Sequence, residues 1–244
     1  MTGNPVTTMP IGGFEVPFRV KKGKPGRLRL FFSPENELVV ETGSAEIGWR
    51  EKEFIGSQTK WLVRAWKENN RVSLHRQRLL DGLERSIILL GKETEVNFIP
   101  FEKTRFRYHK FEKFEVYAPE KYISSQKKRL LQRSLHMLAA QILPERLAEK
   151  AVFCEVAHKH RSTAVKEQSS RWGSCSSDGR IHLNWQLIFL EEEIIDYVIV
   201  HELMHLHEMN HGPRFKELVS HFVPNWKQLE KKLKENQWMI GILK

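Results

Sequence analysis

The sequence predicts an α+β fold, with a small β-rich region over residues 1–120 and a mixed region of helices and strands over residues 121–244. Before residue 120, short segments of strand-forming residues alternate with turn-like stretches such as KKGKPG and SPEN. After residue 120, apolar residues recur at helical spacing, most clearly over residues 122–143. We therefore place a domain boundary near residue 120.

The elements of the N-terminal region follow from local patterns. Residues 1–13 are rich in Gly, Pro and Thr, and we expect a loose tail. Residues 45–69 have helical spacing, whereas residues 71–79 are ambiguous. Segments with β-formers predict six strands: 14–20, 27–33, 37–42, 86–90, 95–101 and 113–118. The basic and aromatic segment 102–113 is compatible with an exposed hairpin or with a nucleic-acid contact.

The C-terminal region begins with the helix over residues 122–143, and Pro144 is expected to start a separate helical turn. Three short segments then read as strands: 152–157, 163–166 and 181–184. Helices are expected over residues 191–208, 213–222 and 224–237. The acidic residues at positions 191–193 suit the start of the first of these three helices.

Composition limits the classes of protein to consider. The chain has 244 residues and a formal net charge of +10, so nucleic acid or another polyanion is a candidate partner through the basic surface. The apolar runs are too short to cross a bilayer, and we see no secretory signal, so a cytoplasmic protein is the default expectation. The two cysteines, Cys154 and Cys175, are too few for a disulfide framework and are expected to be reduced.

One motif indicates a metal-binding catalytic site. His201, Glu202 and His205 form an H-E-x-x-H pattern within an apolar stretch that is predicted to be helical. Positions i and i+4 lie on one face of a helix, so the two imidazoles can reach one ion, and neutral His nitrogen is a preferred zinc ligand. Glu202 is then placed to act as a general base on a zinc-activated water.

The third metal ligand is open at this stage. His211 follows beyond the expected helix end, where the chain can turn back to the same ion, and we favour it. His207 is less suitable, because at about 100° per residue it points roughly 200° away from His205 on a continuous helix. A carboxylate or another group is a further alternative. The alternative without a metal is that His201 and His205 are structural histidines that pack on one face of a buried helix.

Three blocks of sequence resemble the YgjP-like metallopeptidase-domain family, which is related to the SprT-like zinc proteases. They are RWGSCSSDGRIHLNWQL at residues 171–187, DYVIVHELMHL at residues 196–206 and NHGPRF at residues 210–215. The resemblance implies a zincin-like catalytic domain of the gluzincin type, with Zn²⁺ held by His201, His205 and His211 and with Glu202 as catalytic acid/base. It also implies that strand 181–184 runs beside the active-site helix, and an extended peptide could then add to its edge.

The resulting hypothesis is a zinc metallopeptidase that hydrolyses peptide bonds in a peptide or protein substrate. His182, Asn184 and Arg171 are alternative candidates for stabilising the oxyanion. Cys175 is either a buried structural cysteine or a regulatory fourth zinc ligand. The alternative function is a zinc-containing binding module for nucleic acid or protein, or a protease recruited to DNA–protein complexes.

Overall fold

The computed structural model describes residues 7–33, 36–44 and 46–243, and it divides into two compact units, Met1–Arg78 and Leu79–Lys244. The mixture of small sheets and helices confirms the predicted α+β class. The predicted domain boundary near residue 120 falls inside the second unit, ahead of the long helix that begins at Ser124. Among the described residues, no helix is long and apolar enough to cross a membrane.

The first unit is a four-stranded sheet with helices packed on it. Its strands lie in the order β1-β2-β4-β3, where β2 and β4 are parallel and the other pairs are antiparallel. The bounds are β1 Thr8–Ile11, β2 Phe14–Lys22, β3 Arg29–Phe32, β4 Leu38–Thr42, α1 Trp49–Ser57 and α2 Thr59–Gly82, and residues 79–82 of α2 belong to the second unit. The single helix predicted over residues 45–69 is divided at Gln58, and α2 continues through the ambiguous residues 71–79.

The expectation of a loose tail is wrong for residues 8–11, which form β1; residues 1–6 lie outside the described residues. The turn between β1 and β2 consists of Gly12 and Gly13, whose φ angles are +55° and +87°. Two consecutive residues with positive φ make the type I′ turn that closes a hairpin, and glycine adopts this conformation without strain. Gly12 and Gly13 therefore form the turn of a hairpin and are not part of a loose tail.

The second unit begins with a four-stranded sheet in the order β5-β6-β8-β7. Its strands are β5 Ser86–Leu89, β6 Lys92–Pro100, β7 Arg105–His109 and β8 Lys113–Ala118. Three of the predicted strands are confirmed here within a few residues. The basic and aromatic segment 102–113 contains β7, which forms a hairpin with β8, as the first of its two interpretations expected.

The long helix α3 spans Ser124–Phe153 and passes through Pro144 without a break. Proline removes one backbone donor and costs about 3 kcal/mol inside a helix. Burial of Leu143, Leu147 and Ala151 continues on both sides of the proline, so packing against the core offsets this cost. The separate turn expected at Pro144 and the strand expected over residues 152–157 were therefore wrong.

A three-stranded sheet follows, in the order β10-β11-β9, with β9 Ser162–Lys166, β10 Gly173–Cys175 and β11 Arg180–Asn184. β10 was not among the strands predicted from the sequence. Because β11 pairs with β10 on one side and with β9 on the other, both of its edges are occupied. The hypothesis that a peptide adds to the edge of β11 is therefore wrong.

Three helices complete the unit: α4 Glu192–Met204, α5 Pro213–Phe222 and α6 Trp226–Glu235. Most of α4 is buried, and Arg146 of α3 ties it down through ion pairs with Glu192 and Asp196. The helix was predicted to reach residue 208 but ends at Met204. His205 keeps a helical conformation at φ −63° and ψ −18°, so the helical relation between His201 and His205 is retained.

Candidate metal centre

The structure brings His201, His205 and His211 together. One ring nitrogen of each lies within 4.8 Å of the others, and the Nε2 atoms of His201 and His211 are 3.1 Å apart. The C-terminal end of α4 positions His201 and His205, and the loop before α5 brings His211 back towards them. Among the described residues, this is the group of His, Cys, Asp and Glu side chains whose ligand atoms are close enough to hold one metal ion.

Burial favours the neutral form that a metal requires at two of the imidazoles, His201 and His205. Burial, together with the neighbouring His205 and His211, lowers the pKa of His201 to about 3. Burial also lowers the pKa of His205. The Nδ1 atom of His205 lies 3.0 Å from the carbonyl oxygen of Glu208, so it donates to that oxygen and leaves Nε2 as the free nitrogen.

His207, the alternative third ligand, lies outside this group. It is exposed, and its Nδ1 atom is 3.0 Å from Nζ of Lys159. Cys175 is also outside the group; its thiol donates to the carbonyl oxygen of Ser176 at 3.5 Å. Both cysteines are unpaired, and burial raises the pKa of each thiol to about 11.

Glu202 is buried directly after the first imidazole and faces β10. Its side chain packs against Gly173 so closely that a Cβ at that position would lie 2.7 Å from Oε1 and 2.8 Å from Cγ. Burial raises the pKa of Glu202 to about 8, and the charge of Arg171 opposes this shift. The glycine of the Trp-Gly-Ser block therefore makes room for the carboxylate.

Phe215 is a residue of the centre that the sequence patterns did not reveal. Its ring is 3% exposed and lies 4.9, 4.5 and 4.8 Å, between ring centroids, from His201, His205 and His211 respectively. It therefore supports all three imidazoles from one side. The only sequence signal was its place in the NHGPRF block, four residues after the third histidine.

The candidates for oxyanion stabilisation have different positions. Asn184 is fully buried, and its amide donates to the carbonyl oxygens of Gln168 and Arg171 at 3.1 and 3.0 Å, so it fastens the loop before β10. Gly173, which faces Glu202, pairs with Leu183, whereas His182 pairs with Ser174. Alternate residues point to opposite faces of a strand, so His182 lies on the face turned away from Glu202.

Arg171 remains the candidate whose charge acts on Glu202. Its side chain is exposed and lies directly before Trp172 at the start of β10, so a substrate could approach it from solvent.

The comparison with known families gives the class. A family description of a metallopeptidase domain matches residues 27–236, which places the chain among the metallopeptidases. The family is the YgjP-like metallopeptidase domain, and the chain belongs to it, as the three sequence blocks predicted. No curated protein matches this sequence. Membership implies a metal ion and a peptide or protein substrate.

Proposed function

We propose that the protein is a zinc-dependent peptidase in which His201, His205 and His211 hold the metal ion and Glu202 acts as general base. The observation that carries this proposal is the convergence of three imidazoles beside a buried carboxylate. Three protein ligands leave a fourth zinc position for a reactant, as in catalytic rather than structural zinc sites.

The donor set fits zinc. Two nitrogens bound to one tetrahedral zinc ion at about 2.05 Å are separated by about 3.3 Å. The 3.1 Å between the Nε2 atoms of His201 and His211 is close to this value. An all-imidazole set also favours zinc over magnesium or calcium, which prefer oxygen ligands.

The role of Glu202 follows from its burial. Burial raises the pKa of its carboxyl group to about 8, so the group tends to keep its proton. A nearby cation, such as Arg171 or a bound metal ion, favours the charged carboxylate, which is the form that can accept a proton. When bound, zinc supplies Lewis acidity, which acidifies water and polarises a carbonyl group. Glu202 accepts a proton from the attacking water and passes it to the leaving amine.

An extended peptide has a place to bind beside Glu202. β10 is the outermost strand of its sheet, and its residue Gly173 touches the carboxylate. A peptide that adds to the outer edge of β10 brings its backbone past Glu202. The outer edge of β10, rather than the edge of β11, is therefore the proposed binding site for an extended peptide.

The net charge of +10 motivated a second hypothesis, a nucleic-acid partner, alone or together with peptidase activity. No contact among the described residues favours it over a peptide. Its test is DNA binding measured at 50 and 200 mM salt. A polyanion held by several basic residues dissociates steeply over this range, and a flat response counts against the hypothesis.

The proposal is tested by metal analysis and by hydrolysis of a peptide library, with Glu202→Gln as the variant. Glu193→Gln is a matched control, because Glu193 is an exposed residue of the same helix. We expect one zinc ion per chain in all three proteins, and hydrolysis by the wild type and the control but not by Glu202→Gln. Hydrolysis by Glu202→Gln at the wild-type rate would refute the role of the carboxylate.

A further inference from the structure

A pocket of about 200 Å³ opens directly beside the candidate metal centre. Its walls are mainly apolar and come from the strand end at Trp172, from Tyr197 and Val198 of α4 and from Leu233 of α6. His201 and Glu202 also line it. At about 30 Å³ per water molecule, the pocket has the volume of about seven waters, which suits one side chain of several heavy atoms.

The wall formed by α6 is firmly anchored. Leu229 of this helix is 4% exposed, and Lys232 forms an ion pair of 2.7 Å with Glu191 at the start of α4. Beyond the helix, the side chain of Gln237 donates to the carbonyl oxygen of Ser170 at 3.0 Å. These contacts tie α6 both to the metal-binding helix and to the loop before Trp172, so the pocket is a built feature of the fold.

Among the described residues, the pocket lining offers an acidic occupant no free positive charge. Glu202 and Glu230 line the pocket, and the carboxylate of Glu230 pairs with Lys234 at 3.0 Å. Among the described lining residues, Lys234 is the Lys or Arg side chain present, and it is already engaged.

Trp172 adds a polar feature to these apolar walls. Trp172 is 5% exposed, and its Nε1–H has no hydrogen-bond partner among the described residues. An unsatisfied buried donor costs about 1–3 kcal/mol. Because Trp172 lines the pocket, an occupant of the pocket can supply the missing acceptor. A carbonyl oxygen of a bound peptide is such an acceptor.

We propose that this pocket is a specificity pocket that receives an apolar side chain of the peptide substrate next to the scissile bond, with Leu233 limiting its depth and Trp172 donating to the substrate. The inference rests on the proposed peptidase function. It deepens that function by naming the substrate class: peptides with a Leu-, Met- or Phe-sized residue at the cleavage site, rather than acidic or very small residues.

The first test uses acetylated and amidated alanine-based peptides in which one position is Leu, Phe, Ala or Asp. With the wild type, we expect kcat/KM to be at least about tenfold higher for the Leu or Phe peptide than for the Ala peptide, and lowest for the Asp peptide. Leu233→Trp fills the pocket, so it should reverse the preference towards Ala while the Ala peptide is still cleaved. Lys231→Ala, an exposed site on the same helix outside the pocket, should leave the preference unchanged.

The second test does not depend on hydrolysis. The indole N–H resonance of Trp172 is identified by its loss in Trp172→Phe, and is then followed in Glu202→Gln as the same peptides are added. The Leu peptide should shift this resonance at concentrations where the Ala peptide does not.

The two tests separate the two proposals. Selective binding without any hydrolysis by the wild type supports the pocket and overturns the peptidase function. Hydrolysis without a preference for Leu or Phe, or a preference that survives Leu233→Trp, overturns the pocket and leaves the peptidase function standing.

Discussion

Replacing Gly173 by alanine tests the packing of the general base. The added methyl group would lie 2.7 Å from Oε1, 2.8 Å from Cγ and 2.9 Å from Cδ of Glu202. Ordinary carbon contacts are about 3.5 Å or longer, so the carboxylate must move by about 0.7 Å or more. A shift of this size in a catalytic group can cost about 100-fold in rate, and we expect kcat/KM to fall by about that factor, or about 2.7 kcal/mol.

The same substitution should destabilise the fold, although secondary structure alone predicts the opposite. Alanine in place of glycine within a strand stabilises by about 0.5–1 kcal/mol, whereas overpacking a buried site costs about 1–3 kcal/mol. The three atoms of Glu202 that meet the new methyl group all lie beyond its Cβ. In a Glu202→Ala background, therefore, Gly173→Ala should be neutral or stabilising.

The assay combines kcat/KM on a cleaved peptide, zinc content and the free energy of unfolding from urea denaturation. Gly82→Ala is the matched control, because a Cβ at Gly82 meets nothing within 4 Å. We expect the control to keep full activity and Gly173→Ala to keep its zinc. Activity within twofold of the wild type, or equal destabilisation in both backgrounds, would show that Glu202 does not need a glycine at position 173.

Three further predictions concern the metal centre. His211→Ala should lose the bound zinc on dialysis whereas His207→Ala keeps it; equal zinc content in the two variants would exclude His211 as the third ligand. Phe215→Leu should raise the zinc dissociation constant about tenfold, measured by chelator competition, because the ring contacts all three imidazoles. In chelator-treated protein, the pKa of Glu202 is raised from 4.5 to about 8, so the folded state binds this proton more tightly than the unfolded state. The stability that this proton contributes is present below about pH 4.5 and is lost as the pH rises to about 8. The lowered pKa values of His201 and His205 change the stability in the opposite direction in both proteins. The difference in unfolding free energy between the wild type and Glu202→Gln, measured by urea denaturation, should therefore fall across this range.

The sequence predicted the elements and residues that depend on local spacing. The i and i+4 relation of His201 and His205 needs only one helical turn, and the strands follow from short patterns of β-formers. His211 was reached by assuming that the chain turns back after the helix. The structure supports that assumption, because a ring nitrogen of His211 lies within 4.8 Å of one from each of the other two histidines.

The features that the sequence did not reveal depend on contacts between distant segments. Gly173 is 29 positions from Glu202, and only the packing of β10 on α4 shows why glycine is required there. The continuation of α3 through Pro144 likewise follows from burial of the residues around it, which outweighs the local preference to stop. The contribution of α6 to the pocket wall could not be predicted, because the sequence of an amphipathic helix does not indicate which surface its apolar face covers.

Anomalous diffraction at the zinc absorption edge, from crystals of the wild type and of Glu202→Gln, can locate the metal ion beside the carboxylate of Glu202. If three imidazoles hold one ion, both proteins will show a single strong peak about 2.0–2.1 Å from one nitrogen each of His201, His205 and His211. A zinc peak coordinated by other residues, with none at these histidines, would rule out the proposed metal site.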